Sequence, residues 1–229
     1  MLANDISFWS PCKAFIEVSG PDATSFLHRL STQDILNAPR AKAFPNCFLD
    51  QRGRIIDVVH QVGLGENKWL LTSSHDEPNK LKNWLEKYLF SEKVSVRELY
   101  VPDAADGYSE AERIARCVIK SPNEINESYH PLELGLGKLI AWNKGCYIGQ
   151  EVISRLDTYD KVSRQLFCVA CKEQDFERLR SSPDITSILD KFIENRPVAL
   201  GVFKKAALTS ETCLTTANGT PVWVVSSAR

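Results

Sequence analysis

The stretch Lys144-Gly145-Cys146-Tyr147-Ile148-Gly149-Gln150-Glu151, with Arg155 four residues beyond Glu151, concentrates the residue types most able to do chemistry. Two glycines bracket a thiol and an aromatic ring. Gly145 permits positive φ or close backbone approach, and Gly149 can open a following helix. Glu151 and Arg155 stand at i, i+4, where opposite charges pair on one helix face. On this reading Cys146 lies beside Lys144 and just ahead of a helix N-terminus, and both features favour thiolate over thiol. The alternative is a small residue filling a turn.

Other chemistries find less support. Cys168-Val169-Ala170-Cys171 has metal and redox spacing, but it falls at the end of an expected strand. Residues i and i+3 of a strand point to opposite faces, and no second CxxC or nearby His completes four ligands, so no metal site is expected. His28, His60, His75 and His130 do not pair at ligand spacing and read as structural or surface residues. The chain lacks a P-loop, a dinucleotide glycine fingerprint and a Gly-x-Ser-x-Gly elbow, which disfavours nucleotide hydrolysis and serine esterase chemistry.

The elements that would position these residues follow from periodicity. Cys12 to Val18 reads as a strand, broken by Gly20-Pro21-Asp22. Asp22 then caps a short helix with Phe26, Leu27 and Leu30 at helical spacing. Phe44–Leu49 and Ile55–Val62 form a hairpin around Asp50-Gln51-Arg52-Gly53, with Lys68–Thr72 as the antiparallel neighbour. Leu81, Trp84, Leu85, Tyr88 and Leu89 give Pro78–Phe90 an amphipathic helical face. Val94–Val101 returns to extended character, Glu110–Lys120 reads as helix then strand, and Leu132–Leu139 as a turn or broken helix. Val162–Val169, Val198–Ala207 and Thr212–Thr216 are expected strands. Asp175–Arg180 is a polar helix, and Asn218-Gly219 turns into Val222–Val225. This β-rich tail places a boundary near residue 160, dividing a mixed region 1–160 from a β-rich region 161–229.

The 229 residues carry 28 Lys and Arg against 29 Asp and Glu, a net charge of −1 that argues against a dedicated nucleic-acid binder. No stretch approaches the roughly 20 apolar residues of a membrane span. Seven scattered cysteines do not form a secreted disulfide framework. Met1–Ser10 has neither a signal peptide's basic start nor a transit peptide's arginines, so a reducing cytoplasm is expected.

The octet resembles the signature of the YgfZ family, folate-binding proteins similar to the T-protein of the glycine cleavage system. That signature has the form Lys-Gly-Cys-Tyr/Phe-x-Gly-Gln-Glu followed by Arg. Phe26-Leu27-His28-Arg29-Leu30-Ser31-Thr32-Gln33-Asp34 and Leu49-Asp50-Gln51-Arg52-Gly53-Arg54-Ile55 are similar to two further family segments. The resemblance covers residues 10 to 165. It implies an α+β, T-protein/YgfZ-like folate-binding fold with a C-terminal β-barrel-like domain and a folate-sized central channel.

It further implies tetrahydrofolate binding, by Asp50, Arg52, Gly53, Lys144, Gly145, Tyr147, Gly149, Gln150, Glu151 and Arg155. The implied role is support of iron–sulfur cluster assembly or repair, with assembly factors or client enzymes as partners and neither nucleic acid nor membrane. Arg52, Arg54, Lys144, Arg155, Lys161 and Arg164 would suit a polyanionic folyl-glutamate tail if several converge. Cys146 would be a reactive thiol, a transient cluster contact, or packing beside the folate. The alternatives are a folate-dependent one-carbon transferase of aminomethyltransferase type, with Asp57 as acid or base, and a non-enzymatic redox or partner-binding module using Cys146. Glycine-cleavage enzymes usually carry two adjacent acids after their Gly-Gly hairpin. Here Gly53-Arg54-Ile55-Ile56-Asp57-Val58 keeps one, which favours the accessory role over the transferase.

Overall fold

Alternating apolar residues and turn chemistry build the first sheet. A computed structural model describes residues 14–75, 79–100, 108–196, 198–210 and 212–227. Met1–Ser10, Cys12, Pro78 and Val101, which entered the sequence reading, lie outside the described residues.

Strands β1 (Ala14–Ser19), β2 (Phe44–Leu49), β3 (Ile55–Gly65), β4 (Lys68–Thr72) and β5 (Ser95–Tyr100) pair antiparallel in the order β2-β3-β4-β1-β5. Helices α1 (Ala23–Leu30) and α2 (Asn79–Glu86) lay Phe26, Leu27, Leu30, Leu81, Trp84 and Leu85 on one face of this sheet, around Trp69 and Phe48. The apolar stripe on each helix drives that packing. Asp22 stands at the N-cap of α1, but its carboxylate accepts the Lys93 amide at 2.8 Å and does not cap the helix.

Helix α3 (Glu110–Ala115) starts with a capping box between Ser109 and Glu112; the strand expected after it is reduced to a single bridging residue, Ile119, because the chain turns at 116–117, where Cys117 has φ 54. Residues 131–139 form two short 3-10 turns, Pro131–Leu134 and Gly137–Leu139. Helix α4 (Gln150–Thr158) starts within the octet, with Gly149 at its N-cap.

Strands β6 (Arg164–Ala170), β7 (Ile185–Ile188), β8 (Ala199–Lys204), β9 (Leu208–Ser210), β10 (Cys213–Thr215) and β11 (Pro221–Ser227) form the second sheet. Its order is β7-β8-β6-β11-β10-β9, and α5 (Phe176–Arg180) packs on it. The expected barrel-like domain is therefore an open antiparallel sheet, running from β7 at one edge to β9 at the other. The physical reason is that both faces of this sheet already find cover. Leu166, Cys168, Leu200 and Val202 face a core shared with Cys47, Leu49, Ile55 and Val58 of the first sheet. Phe167, Val169, Ala199 and Phe203 face Phe176 and Leu179. A sheet covered on two sides has no need to close on itself.

Candidate functional site

The hairpin turn between β2 and β3 is held by its own aspartate. Asp50 Oδ1 accepts the amides of Arg52 and Arg54, both at 2.8 Å, and the Asp50 carbonyl accepts the Gly53 amide at 3.0 Å. Such an Asx turn fixes the loop tightly. The octet docks on this turn. Gly149 has φ +83, and a Cβ on it would lie 2.6 Å from the Asp50 carbonyl oxygen and 3.0 Å from Gly53 Cα. Gly53, at φ +72, meets Ile153 and Val152 of α4 and the ring of His130. Only glycine fits either position, so the two segments recognised separately in the sequence form one surface.

Around that surface lies an open cleft of about 620 Å³, lined by Asp50, Gln51, Arg52, Arg54, Glu127, Ser128, His130 and Val152. His130 Nδ1–H donates to the Gly53 carbonyl at 2.8 Å, and burial lowers the imidazole pKa below its ordinary value. Glu133, nearly buried, anchors one wall: it accepts Arg164 Nε at 2.8 Å and the His130 amide at 2.9 Å, with Arg54 Nη1 3.6 Å away. The Ser128 carbonyl accepts Arg54 Nη1 at 2.7 Å and Arg164 Nη2 at 3.1 Å. Arg54 and Arg164 are thus tied to the wall. Arg52 is exposed, with no side-chain hydrogen bond or ion pair among the described residues, and faces the cleft as a free cation.

The remaining sequence-predicted residues divide by what holds them. Lys144 is buried, and its ammonium donates to the carbonyls of His28, Ser31 (2.6 Å) and Gln33 (2.8 Å), at the C-terminal end of α1. Desolvation there pushes its pKa down to about 8. The Lys144 charge is spent on α1. Tyr147 is buried beneath that ammonium, 5.3 Å from ring centroid to Nζ, and burial raises its hydroxyl pKa to about 12. Gln150 Oε1 accepts the Tyr147 amide at 3.4 Å. Glu151 and Arg155 pair at 3.8 Å on the exposed face of α4. Cys146 is exposed, three residues before Gly149, and Gly145 has open space where a Cβ would stand.

Asp57 stands apart from the cleft lining. It is fully buried on β3, where its carboxylate accepts Ser73 Oγ at 2.6 Å, Ser74 Oγ at 2.5 Å and the Ser74 amide at 3.1 Å. Burial raises its pKa against the opposing pull of His75 and these hydrogen bonds. Glu127, Ser128, His130 and Glu133 line or brace the cleft without any sequence motif marking them. The four contribute through chain segments brought in from beyond α3, and a lone His among polar residues carries no spacing signal.

Residues 11–106 match the family model described as the GCVT N-terminal domain. Over 99% of its length the chain superposes on the glycine cleavage system aminomethyltransferase T of Bartonella henselae, covering 86% of that chain at a TM-score of 0.65 and 16% identity. The fold is GcvT-like. A 43-residue stretch is 49% identical to a chloroplastic Arabidopsis thaliana protein named as a candidate transferase. The match spans 19% of this chain and 10% of that protein. At this level of identity the GcvT-like likeness establishes architecture, and the chemistry rests on the cleft itself. Among the described residues no helix is long and apolar enough to cross a membrane.

Proposed function

We propose that this chain binds tetrahydrofolate or a derivative in the cleft beside the docked octet and hairpin, as an accessory protein of the YgfZ type that supports iron–sulfur cluster assembly or repair. The observation that carries the reading is the glycine-on-glycine contact of Gly149 and Gly53. It joins the octet to the hairpin and leaves Arg52 free at the edge of the cleft. The residues present fit a folate. About 620 Å³ lies within the range of small-molecule sites, and the lining mixes amide, imidazole and carboxylate groups with one unpaired guanidinium. Gln51 and His130 would meet the uncharged part of the ligand, and Arg52 its glutamate carboxylates, in a bidentate fork. When bound, tetrahydrofolate supplies a carrier for one-carbon units. The exposed thiol of Cys146 is the accessible nucleophile of the octet and the group through which a redox or client contact would act.

The second reading, a folate-dependent one-carbon transferase, needs a carboxylate able to exchange protons with substrate. Asp57 is enclosed by Ser73 and Ser74 with no exposed surface, which favours the accessory role.

Calorimetric titration of the purified chain with mono- and polyglutamylated tetrahydrofolate tests the reading. Binding is expected for both, with Arg52→Ala weakening the polyglutamylated ligand more. The loss is roughly 1.5–3 kcal/mol if the ligand shields the contact and below about 1 kcal/mol if it stays exposed. Absence of binding by either ligand overturns the proposal. Turnover of a methylamine-type donor with folate would move the assignment to the transferase, whereas binding without turnover, together with lost activity of an iron–sulfur enzyme in cells lacking the chain, supports the accessory role.

A further inference from the structure

Two thiols outside the cleft meet in the core. Cys117 closes the turn after α3 with φ 54, a left-handed conformation uncommon for a residue with a side chain, and Cys168 sits on β6. They are 6% and 0% exposed. The two cysteines share two partners. The Ile114 carbonyl accepts the Cys117 amide at 3.0 Å and the Cys168 thiol at 3.1 Å. Ser226 on β11 is the cross-strand neighbour of Cys168, and its hydroxyl lies 2.7 Å from Cys117 Sγ. Ile114 and Ser226 thus bring the two thiols into one pocket of the core. Cys171, closer to Cys168 in sequence, packs in the core on the other face of the second sheet.

We propose that Cys117 and Cys168 form a dithiol modification site, oxidised by a hydroperoxide to an intramolecular disulfide that ties the end of α3 to β6. The two sulfurs are unequal. Cys117 keeps some exposed surface and Cys168 has none, and the neighbouring Cys168 thiol lowers the Cys117 pKa, while the neighbouring Cys117 and burial raise that of Cys168. Cys117 is therefore the attacking group. Its thiolate attacks one oxygen of the peroxide, an S–O bond forms as the O–O bond breaks, and the other oxygen takes up a proton and leaves as water or alcohol, giving a sulfenic acid. The Cys168 sulfur then attacks the sulfenyl sulfur, the S–S bond forms and water leaves. Overall, two thiols and one hydroperoxide give one disulfide, water, and a second water or an alcohol. A small oxidant suits the slight exposure of Cys117, which a protein thiol could not reach. This site is independent of the folate reading.

The test treats the full chain, carrying Cys146→Ser to remove the exposed competing thiol, with hydrogen peroxide. The protein is then denatured, alkylated and mapped by mass spectrometry. The expected result is a cross-linked peptide pair containing Cys117 and Cys168, lighter by two hydrogens, with both thiols lost to alkylation and recovered by dithiothreitol. In the Cys168→Ala variant Cys117 should instead accumulate as a dimedone-trapped sulfenic acid. Recovery of both Cys117 and Cys168 as alkylated thiols after peroxide treatment overturns the proposal, as does a Cys168–Cys171 cross-link. The map of the chain with an intact pair decides the matter even if Cys168→Ala does not fold.

Discussion

Arg113 and Glu124 form an ion pair enclosed by protein on every side: their side chains are 2% and 0% exposed, with Nη1 and Oε2 3.3 Å apart. The remaining valences are filled. Arg113 Nη1 also donates to the Val118 carbonyl at 2.7 Å and Nη2 to Glu110 at 2.6 Å, while Glu124 accepts Ser187 Oγ at 2.7 Å and the Lys120 amide at 3.1 Å. The pair therefore bolts α3 and the segment after it to β7.

Breaking this pair from one side should be severe. Arg113→Ala leaves Glu124 buried without its cation, and we expect a loss of about 3–5 kcal/mol in denaturant unfolding. Replacing both together, as Arg113→Met with Glu124→Leu, should recover much of that loss, because no charge then remains buried. A double variant no more stable than Arg113→Ala alone would place the stability in the surrounding hydrogen bonds, not in the paired charges.

The two glycines of the octet should differ sharply in tolerance. Gly149→Ala puts a Cβ 2.6 Å from the Asp50 carbonyl oxygen at a positive φ, so it should cost at least about 1–2 kcal/mol from conformation alone and disturb the hairpin contact. Gly145→Ala meets nothing within 4 Å and should stay within about 0.5 kcal/mol of the parent. Thermal unfolding of the two variants side by side is the measurement. Equal effects would refute the docking geometry.

Lys144 should prove to be a fold residue. Lys144→Met keeps the stem but strips three carbonyls at the end of α1 of their donor, and a loss of roughly 1.5–3 kcal/mol is expected. Folate affinity per folded molecule should change little. A variant of parental stability with weakened ligand binding would assign the ammonium to the ligand instead.

Acid should loosen the hairpin through His130. Burial lowers its folded pKa below the unfolded value near 6.5. The unfolded chain therefore binds the proton first as pH falls. The stability His130 contributes is present above pH 6.5 and is lost as pH drops through the folded pKa. Melting temperature measured from pH 7.5 to 5 should fall less steeply in His130→Gln than in the parent. Parallel curves would mean that other groups carry the acid response.

The sequence made the hairpin and its glycines legible, because turn chemistry and alternation act over few residues. Phe44–Leu49 and Lys68–Thr72 coincide with β2 and β4 residue for residue. Strand β7 escaped notice because Ile185, Thr186, Ser187 and Ile188 place apolar residues three apart, which is not the period of a strand. The partners of Lys144 escaped for a different reason. They lie more than a hundred positions away in the chain, and nothing local distinguishes a lysine that caps a distant helix from one that faces a ligand. Arg113, Glu124 and Glu133 belong to no motif in the sequence, since only the folded chain brings their counter-ions together.

Strand β6 turns alternate side chains into two separate cores, Leu166 and Cys168 to one side and Phe167 and Val169 to the other. Its amides are hydrogen-bonded on both edges, to β8 and to β11. No partial opening can free this strand without breaching both cores, so hydrogen exchange along β6 must proceed through the highest-energy openings available to the molecule. The β9 edge of the same sheet, three residues long and paired on one side, can fray alone. The second sheet thus carries a gradient of protection, slowest at its middle and fastest at its rim, which deuterium uptake would trace strand by strand.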